Sequence, residues 1–269
     1  MTADVGEGNL LTLRESGSSA LVFVHPASGM ATAFRRLPAH LDGDYSLVAF
    51  ENAGPVGTGL CSVGRLSAAY AAELLAHKFD NVVLAGWSFG GAVAVELAAL
   101  LEAAGRVVAC VVLIDSASPD VLASSERTFV GELAGLFEFS PLEERELEST
   151  SSSEETWAAV LRVLRARYQL PSLTKDDLQP FLDAYSWHLT ALRAPWTPPQ
   201  LRLPVLQIRA QHETGWGDAP TDLGWAASLD VPVQLAESPG NHYSMLSSDN
   251  VAVFADVLTS CLKRLGWPK

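Results

Sequence analysis

The stretch that decides the fold is Asn81-Val82-Val83-Leu84-Ala85-Gly86-Trp87-Ser88-Phe89-Gly90-Gly91. It starts as an apolar, strand-like segment and passes through Gly-x-Ser-x-Gly into an alanine- and leucine-rich segment that favours a helix. A strand, this tight turn and a helix are the parts of a nucleophile elbow. The glycines are needed because larger side chains beside the serine would collide with the strand and the helix. We therefore predict that the Ser88 hydroxyl projects at the carboxyl end of a sheet and is a nucleophile.

Apolar segments on both sides of this turn predict the rest of the sheet. Several of them are apolar without interruption, as in parallel strands that are covered on both faces. Helical patterns alternate with them, which indicates right-handed crossovers and a mostly parallel, doubly wound α/β sheet. The predicted strands cover residues 10–13, 20–25, 46–50, 81–85, 107–115, 204–210 and 231–236, and the predicted helices cover 63–78, 90–104 and 250–265.

The alternation of strands and helices stops at about residues 116–202. This part has helix-like segments at 124–139, 154–168 and 175–194, with joints at Pro141, Pro171 and Pro195, and a polar run at 148–155 that is expected to be a mobile connection and a helix cap. We interpret it as a helical lid over the active site. The alternative is an extra structural layer. The chain is then one domain, 1–269, with its core at 1–115 and 203–269.

A serine hydroxyl needs a general base within hydrogen-bond reach. Among the six histidines, His242 lies in Pro239-Gly240-Asn241-His242-Tyr243, between the last predicted strand and the last predicted helix. In the chain order that accompanies a nucleophile elbow, the histidine comes last. We predict that His242 is the base. His40 and His77 are typical of solvated helix positions, and His188 is a lid residue that either lines the pocket or packs.

The histidine in turn needs a carboxylate that holds its tautomer. Asp115 directly follows eight apolar residues, where an ionised group is costly unless it is paired at the rim of the sheet. Glu213, Asp218 and Asp222 follow the next strand and are the alternatives. We favour Asp115.

An oxyanion hole requires two backbone N–H donors. One is the residue after the nucleophile, Phe89, and the other belongs to the loop after the strand at 20–25. Pro26 has no N–H, so we expect Ala27 to be the second donor. His25 is expected to shape this loop.

Net charge, apolar run length and cysteine spacing argue against a nucleic acid, membrane or metal-binding function. The formal net charge of −13 disfavours nucleic acid binding, which depends on cationic contacts to phosphates. The amino terminus lacks the pattern of a secretory signal, and the longest apolar run, 107–114, is too short to cross a bilayer. The three cysteines have no metal-like spacing. We expect a cytoplasmic protein without a metal site or a membrane partner.

Four motifs together resemble the thioesterase domains of nonribosomal peptide and polyketide synthases, in the α/β-hydrolase superfamily. They are Phe23-Val24-His25-Pro26-Ala27-Ser28-Gly29, Gly86-Trp87-Ser88-Phe89-Gly90-Gly91, Leu113-Ile114-Asp115-Ser116 and Gly240-Asn241-His242-Tyr243-Ser244-Met245-Leu246. The similarity covers essentially the whole chain. It implies an α/β-hydrolase fold with a lid and a Ser88-His242-Asp115 triad.

The resemblance also implies a reaction. A peptidyl or polyketidyl chain, held as a thioester on the phosphopantetheine arm of a carrier protein, would pass to Ser88. Water, or a hydroxyl or amine of the chain itself, would then release it as an acid or a macrocycle. No other cofactor is implied. An acid at the position of Asp115 is typical of release domains, whereas editing thioesterases more often carry it after the next strand. Stand-alone editing, a small-molecule carboxylesterase and a silent binding fold are the alternatives.

A carrier-protein partner implies a basic docking surface. Arg35 and Arg36 follow the oxyanion loop and are candidates for the pantetheine phosphate. Arg162, Arg165 and Arg167 on the second lid helix are another candidate group. Solvated helix faces are the alternative for both groups.

Overall fold

A seven-stranded sheet forms the centre of the molecule. The computed structural model describes residues 9–52, 62–124, 133–135, 137, 139–212, 216 and 218–268. The strands are β1 (Leu10–Arg14), β2 (Ser19–Val24), β3 (Ser46–Phe50), β4 (Asn81–Trp87), β5 (Val107–Ile114), β6 (Val205–His212) and β7 (Val233–Asn241). They are ordered β1-β3-β2-β4-β5-β6-β7.

Among the described strands, β1 runs antiparallel to its neighbour and the other paired strands are parallel. Together with the helices between the strands, this confirms the predicted mostly parallel α/β fold. The helices are α1 (Val63–Ala76), α2 (Phe89–Ala103), α3 (Pro119–Ser124), α4 (Pro141–Glu148), α5 (Ser153–Tyr168), α6 (Lys175–Arg193), α7 (Trp225–Leu229) and α8 (Val251–Arg264), and Thr32–Ala39 is a 3₁₀ helix.

Both faces of the sheet are buried, which explains the uninterrupted apolar segments. In β2, Ala20, Val22 and Val24 pack into a cluster with α1 and α2, whereas Leu21 and Phe23 pack into a second cluster with the 3₁₀ helix and α8. Burying one such large apolar side chain contributes about 1.5–3 kcal/mol. The two clusters hold the carboxyl ends of β2, β4 and β5 side by side, where the candidate residues lie.

The described residues between β5 and β6 contain the four helices α3 to α6 and no strand. This helical segment has its own apolar cluster, formed by Leu133, Leu147, Ala159, Val160, Leu164 and Leu182. Thr174 caps α6 and exchanges hydrogen bonds with Asp177, as in a capping box. The predicted helices at 154–168 and 175–194 correspond to α5 and α6, whereas most of the predicted helix at 124–139 lies outside the described residues.

Helix α4 was not predicted, because Pro141 was interpreted as a joint between helices. The proline is instead the first residue of α4, directly after the cap Ser140. Proline is favourable there, because the first N–H groups of a helix have no partner within it. The polar run at 148–155 does connect two helices, and its Ser152 caps α5 by accepting from the Glu155 N–H.

Candidate active site

Ser88 lies between β4 and α2, with φ 54° and ψ −120°. This left-handed conformation costs about 1–3 kcal/mol in a residue other than glycine. The flanking glycines permit it: a Cβ on Gly86 would lie 2.0 Å from the Gly90 carbonyl oxygen, and one on Gly90 would lie 2.4 Å from that of Val24. The close approach of strand and helix therefore explains the glycines of the motif.

The structure brings Ser88, His242 and Asp115 together in one hydrogen-bonded row. The His242 Nε2 atom lies 3.1 Å from Ser88 Oγ, although the two residues are 154 positions apart. On the other side of the ring, Nδ1 lies 2.8 Å from Asp115 Oδ2. A carboxylate only accepts, so the ring donates from Nδ1 and offers Nε2 as the acceptor for the serine proton. This arrangement is able to deprotonate a serine hydroxyl.

Asp115 lies at the end of β5 and is 2% exposed. Its other oxygen, Oδ1, accepts from Arg209 Nε at 3.0 Å and from the Ala210 N–H at 3.1 Å. Burial raises the pKa of the carboxyl group, but the hydrogen bond and charge of His242, the Ala210 N–H and the Arg209 charge outweigh it and lower the pKa to about 2. Asp115 therefore stays ionised beside the imidazole.

The alternative acids lie elsewhere or outside the described residues. Asp222 accepts hydrogen bonds from the Gly224 and Ala226 N–H groups at the start of α7. Asp218 is exposed, and Glu213 lies outside the described residues. Among the described carboxylates, Asp115 is the one that contacts His242.

Two further side chains hold the row in place, and the sequence did not indicate either of them. Arg209 on β6 binds Asp115 and also donates to the Thr221 carbonyl at 2.8 Å. The Trp87 indole donates to the His242 carbonyl at 3.2 Å. The Trp of the Gly-Trp-Ser motif was the available signal, since a tryptophan beside the nucleophile has an N–H that requires a partner when buried.

The predicted oxyanion loop is a tight turn at the end of β2. The Gly29 N–H donates to the Pro26 carbonyl at 2.9 Å, and Gly29 has φ +76°. A Cβ on Gly29 would lie 1.9 Å from the Asn52 carbonyl oxygen, so glycine is required there. Ala27 is buried in this turn, Phe89 begins α2, and both line the cavity that Ser88 and His242 also line.

That cavity has a volume of about 550 Å³. The helical segment contributes mainly apolar side chains to it, together with the phenols of Tyr168 and Tyr185, and β4 and the loops after β6 and β7 contribute indoles and a further phenol. None of its described lining residues is Lys, Arg, Asp or Glu. They are Pro26, Ala27, Ser28, Met30, Thr32, Ala33, Trp87, Ser88, Phe89, Ala117, Leu122, Phe137, Tyr168, Phe181, Tyr185, Leu189, Leu192, Trp216, His242 and Tyr243.

A family model described as Thioesterase domain matches residues 19–261, which is most of the chain. The chain belongs to the thioesterase domain family. The family predicted from the four motifs is thereby confirmed.

This thioesterase is similar to curated proteins over parts of their length. Thioesterase AMT4 of Alternaria alternata is 27% identical over 196 residues, which are 70% of this chain and 63% of AMT4. Enterobactin synthase component F of Escherichia coli K12 is 33% identical over 123 residues, 44% of this chain and 9% of that protein. The thioesterase therefore spans less than two thirds of the length of these relatives.

Solved structures show the same fold. Holo-AB3403, a four-domain nonribosomal peptide synthetase, superposes on the thioesterase with a TM-score of 0.77 and 23% identity, over all of this chain and 21% of the other. YbtT, a type II thioesterase from a yersiniabactin pathway, superposes with a TM-score of 0.63 and 23% identity, over 96% and 98% of the two chains. Both likenesses support the α/β-hydrolase fold of the thioesterase.

The two candidate groups of arginines in the thioesterase differ in their contacts. Arg162 pairs with Glu146, Arg165 donates to the Leu173 carbonyl, and Arg167 pairs with Glu143, so the α5 arginines hold the helical segment together. Arg35 and Arg36 are exposed on the 3₁₀ helix and make no ion pair within the part of the chain that the structure describes. Two residues of the same helix, Thr32 and Ala33, line the cavity.

The described residues include no group of three or more His, Cys, Asp or Glu side chains that is arranged to hold a metal ion. No helix in the described ranges is both long enough and apolar enough to traverse a bilayer.

Proposed function

We propose that this thioesterase releases a peptidyl or polyketidyl chain from the phosphopantetheine thioester of a carrier protein, through an acyl-enzyme on Ser88. The observation that carries the proposal is the hydrogen-bonded row of Ser88, His242 and Asp115, which opens into the cavity of a thioesterase-family fold. The named relatives, Thioesterase AMT4 and enterobactin synthase component F, support the class of substrate.

In the first step Ser88 Oγ attacks the thioester carbonyl carbon, and its proton passes to His242 Nε2. The negative charge that forms on the carbonyl oxygen is stabilised by the Phe89 and Ala27 N–H groups. The C–S bond then breaks, and His242 returns the proton to the leaving pantetheine sulfur. The acyl group is now an ester of Ser88, and Asp115 has remained ionised beside the imidazole throughout.

In the second step water, or a hydroxyl or amine of the acyl chain, attacks the ester carbonyl. His242 takes the proton of the attacking group and delivers it to Ser88 Oγ as the C–O bond breaks. The product is an acid when water attacks and a macrocycle when the chain attacks itself. The acid at Asp115, after β5, supports release of the full-length chain over editing of short misloaded groups. The cavity of about 550 Å³ supports the same choice, since it is far larger than an acetyl group needs.

The cavity also limits the acyl chain. Its wall is formed by aromatic and aliphatic side chains, and no described lining residue is a carboxylate, ammonium or guanidinium group. A charged group on the acyl chain would lose water there without gaining an ion pair, which is costly. We therefore propose an uncharged, largely apolar acyl chain with aromatic groups.

Intact-protein mass spectrometry after mixing with a peptidyl pantetheine thioester tests the proposal. We expect a mass increment equal to the acyl group in the wild type and no increment in Ser88→Ala, with turnover reduced roughly 10⁴-fold or more. Ser248→Ala, at an exposed serine away from the cavity, is the matched control and should behave like the wild type. A wild type that clears acetyl-loaded carrier faster than peptidyl-loaded carrier would indicate editing, and a wild type that turns over only simple esters would indicate a carboxylesterase.

A further inference from the structure

His188 lies on α6 of the helical segment, yet it contacts the loop at the end of β2. Its Nδ1 atom lies 2.8 Å from the Ala27 carbonyl oxygen, and the two residues are 161 positions apart. The side chain is fully buried and does not line the cavity. The expectation that His188 lines the pocket or packs is thereby resolved in favour of packing, with a directed hydrogen bond.

The same imidazole also contacts Phe89, the other residue whose N–H is proposed to bind the oxyanion. The centroids of the His188 and Phe89 rings are 5.0 Å apart. One side chain of the helical segment therefore touches both residues whose N–H groups would receive the oxyanion. A third ring completes the cluster, since the His25 centroid lies 4.8 Å from that of His188.

Hydrogen bonds set the orientation of the peptide groups on both sides of Ala27. The preceding one is held through the Pro26 carbonyl, which lies 2.8 Å from His25 Nδ1 and also accepts from the Gly29 N–H. Because a trans peptide directs its N–H opposite to its C=O, these bonds determine where the Ala27 N–H points. The following peptide group is held through the Ala27 carbonyl, and there the donor is His188.

His188 is suited to donate this bond in its neutral form. A carbonyl only accepts, so the single proton of the neutral ring resides on Nδ1. Burial lowers the pKa of His188 to about 4, although the bond to Ala27 opposes that shift. Its Nε2 atom is buried and has no hydrogen-bond partner among the described residues, so within that part of the chain the ring makes one hydrogen bond, to the loop.

We infer that His188 is a positioning residue through which α6 holds the oxyanion hole in its active geometry. This inference rests on the proposed function, since it assumes that Ala27 and Phe89 stabilise a tetrahedral intermediate. The orientation of a donor N–H matters because small displacements of catalytic groups reduce rates by up to about 100-fold. Loss of the His188 bond should therefore weaken binding of the transition state more than binding of the substrate.

Three substitutions separate the hydrogen bond from the packing. His188→Asn keeps an N–H donor near the position of Nδ1, whereas His188→Leu has almost the shape of asparagine and no donor. His188→Gln is polar but places its amide beyond that position. We expect kcat for a neutral aryl-acyl thioester to fall about 10- to 100-fold in the leucine and glutamine variants, with KM nearly unchanged, and to stay within about 3-fold of wild type in the asparagine variant.

The affinity for phenylboronic acid, which forms a tetrahedral adduct with an active serine, should fall in parallel with kcat. The affinity for the free carboxylic acid product should not. Leu164→Ala is the control for general loosening of the helical segment, since this buried residue belongs to the segment's own apolar cluster and does not line the cavity. It should lower the melting temperature and leave the ratio of the two affinities unchanged.

Equal kcat in His188→Asn and His188→Leu, or equal loss of both affinities, would overturn the role of His188. If the leucine variant does not fold, the asparagine and glutamine variants still decide the question by the same comparison. The proposed function fails separately: the wild type would then form no acyl-enzyme on Ser88, whatever the His188 variants do.

Discussion

One cavity is lined by the sheet edge, meaning the carboxyl ends of the parallel strands, and by the helical segment. The two contribute different kinds of side chain. At the sheet edge, Ser88, His242 and Asp115 are joined by hydrogen bonds of 2.8–3.1 Å. The helical segment contributes mainly carbon to the cavity, through Phe137, Phe181, Tyr185, Leu189 and Leu192. In the proposed reaction, proton transfer thus depends on strand ends that the buried core holds in place, whereas the shape available to an acyl chain depends on how helices pack.

Backbone strain also differs between the strand ends and the helical segment. Ser88 and Asp115 both have positive φ, at 54° and 42°, and both lie at the carboxyl ends of neighbouring strands. Strain of this kind persists where the surrounding structure overdetermines a residue, as the two-sided core does here. In the helical segment the comparable residue, Gln169 with φ 55°, ends α5. The comparison predicts that changes at the sheet edge abolish the reaction, while changes in the helical segment select among substrates.

Apart from the loss of Ser88 itself, the largest effect is expected at Asp115. Asp115→Asn removes the acceptor that keeps the proton of His242 on Nδ1, and kcat should fall by about 10⁴. Steady-state hydrolysis of a soluble aryl-acyl thioester measures it. In the reciprocal variants Glu213→Gln, Asp218→Asn and Asp222→Asn, kcat should stay within a few fold of wild type. A severe loss of kcat in one of them, with a mild loss in Asp115→Asn, would assign the acid to the loop after the next strand.

A second prediction concerns the apolar wall. Replacing a 3-phenylpropanoyl thioester by its 4-carboxyphenyl analogue should lower kcat/KM about 100-fold, because the charge is desolvated without a counter-ion. The kcat/KM of the 4-aminomethyl analogue should fall by a similar factor. The kcat/KM of the methyl ester of the carboxylate should return to that of the unsubstituted thioester. If only the anionic substrate is impaired, repulsion by the net charge of −13 is the cause and the prediction is wrong.

A third prediction concerns stability against acid. The pKa of Asp115 is about 2 in the folded protein against an ordinary value of 3.8, so the folded state binds this proton less readily than the unfolded state. The group therefore contributes about 2 kcal/mol above pH 4, which is lost as the pH falls through 2. Denaturant unfolding of wild type and Asp115→Asn at several pH values measures it. The wild type should lose about 2 kcal/mol more than the variant between pH 6 and pH 2, and parallel curves would contradict this.

The smallest effect is expected at Arg35 and Arg36, the exposed arginines of the 3₁₀ helix. The double variant Arg35→Glu and Arg36→Glu should raise the apparent KM for carrier-bound substrate several-fold, since exposed charges steer partners more than they bind them. Turnover of a small soluble thioester should be unchanged. Arg65→Glu, at an exposed position on α1, is the control for net charge, and a loss on both substrates would remove the docking role.

Much of the geometry of the candidate site was predictable because it is encoded locally. The Ser88 motif specifies its own strand, turn and helix, and a lone aspartate after eight apolar residues has few stable places other than a rim. The geometry then joins Ser88, Asp115 and His242, as the motif order predicts. Helix α4 was missed because a proline both ends helices and begins them, and the sequence alone does not distinguish the two.

The sequence by itself determined the sheet, the strand-turn-helix position of Ser88 and the chain order of the residues that meet it, because strand period, tight-turn chemistry and the placement of a few polar residues act over short stretches. Only the tertiary structure decided that Arg209 supports Asp115 and that His188 donates to Ala27, in pairs 94 and 161 positions apart. Contacts of that kind depend on how whole elements pack, and many apolar patterns satisfy the same packing. For that reason the apolar wall, which we propose selects the acyl chain, was visible only in the folded molecule.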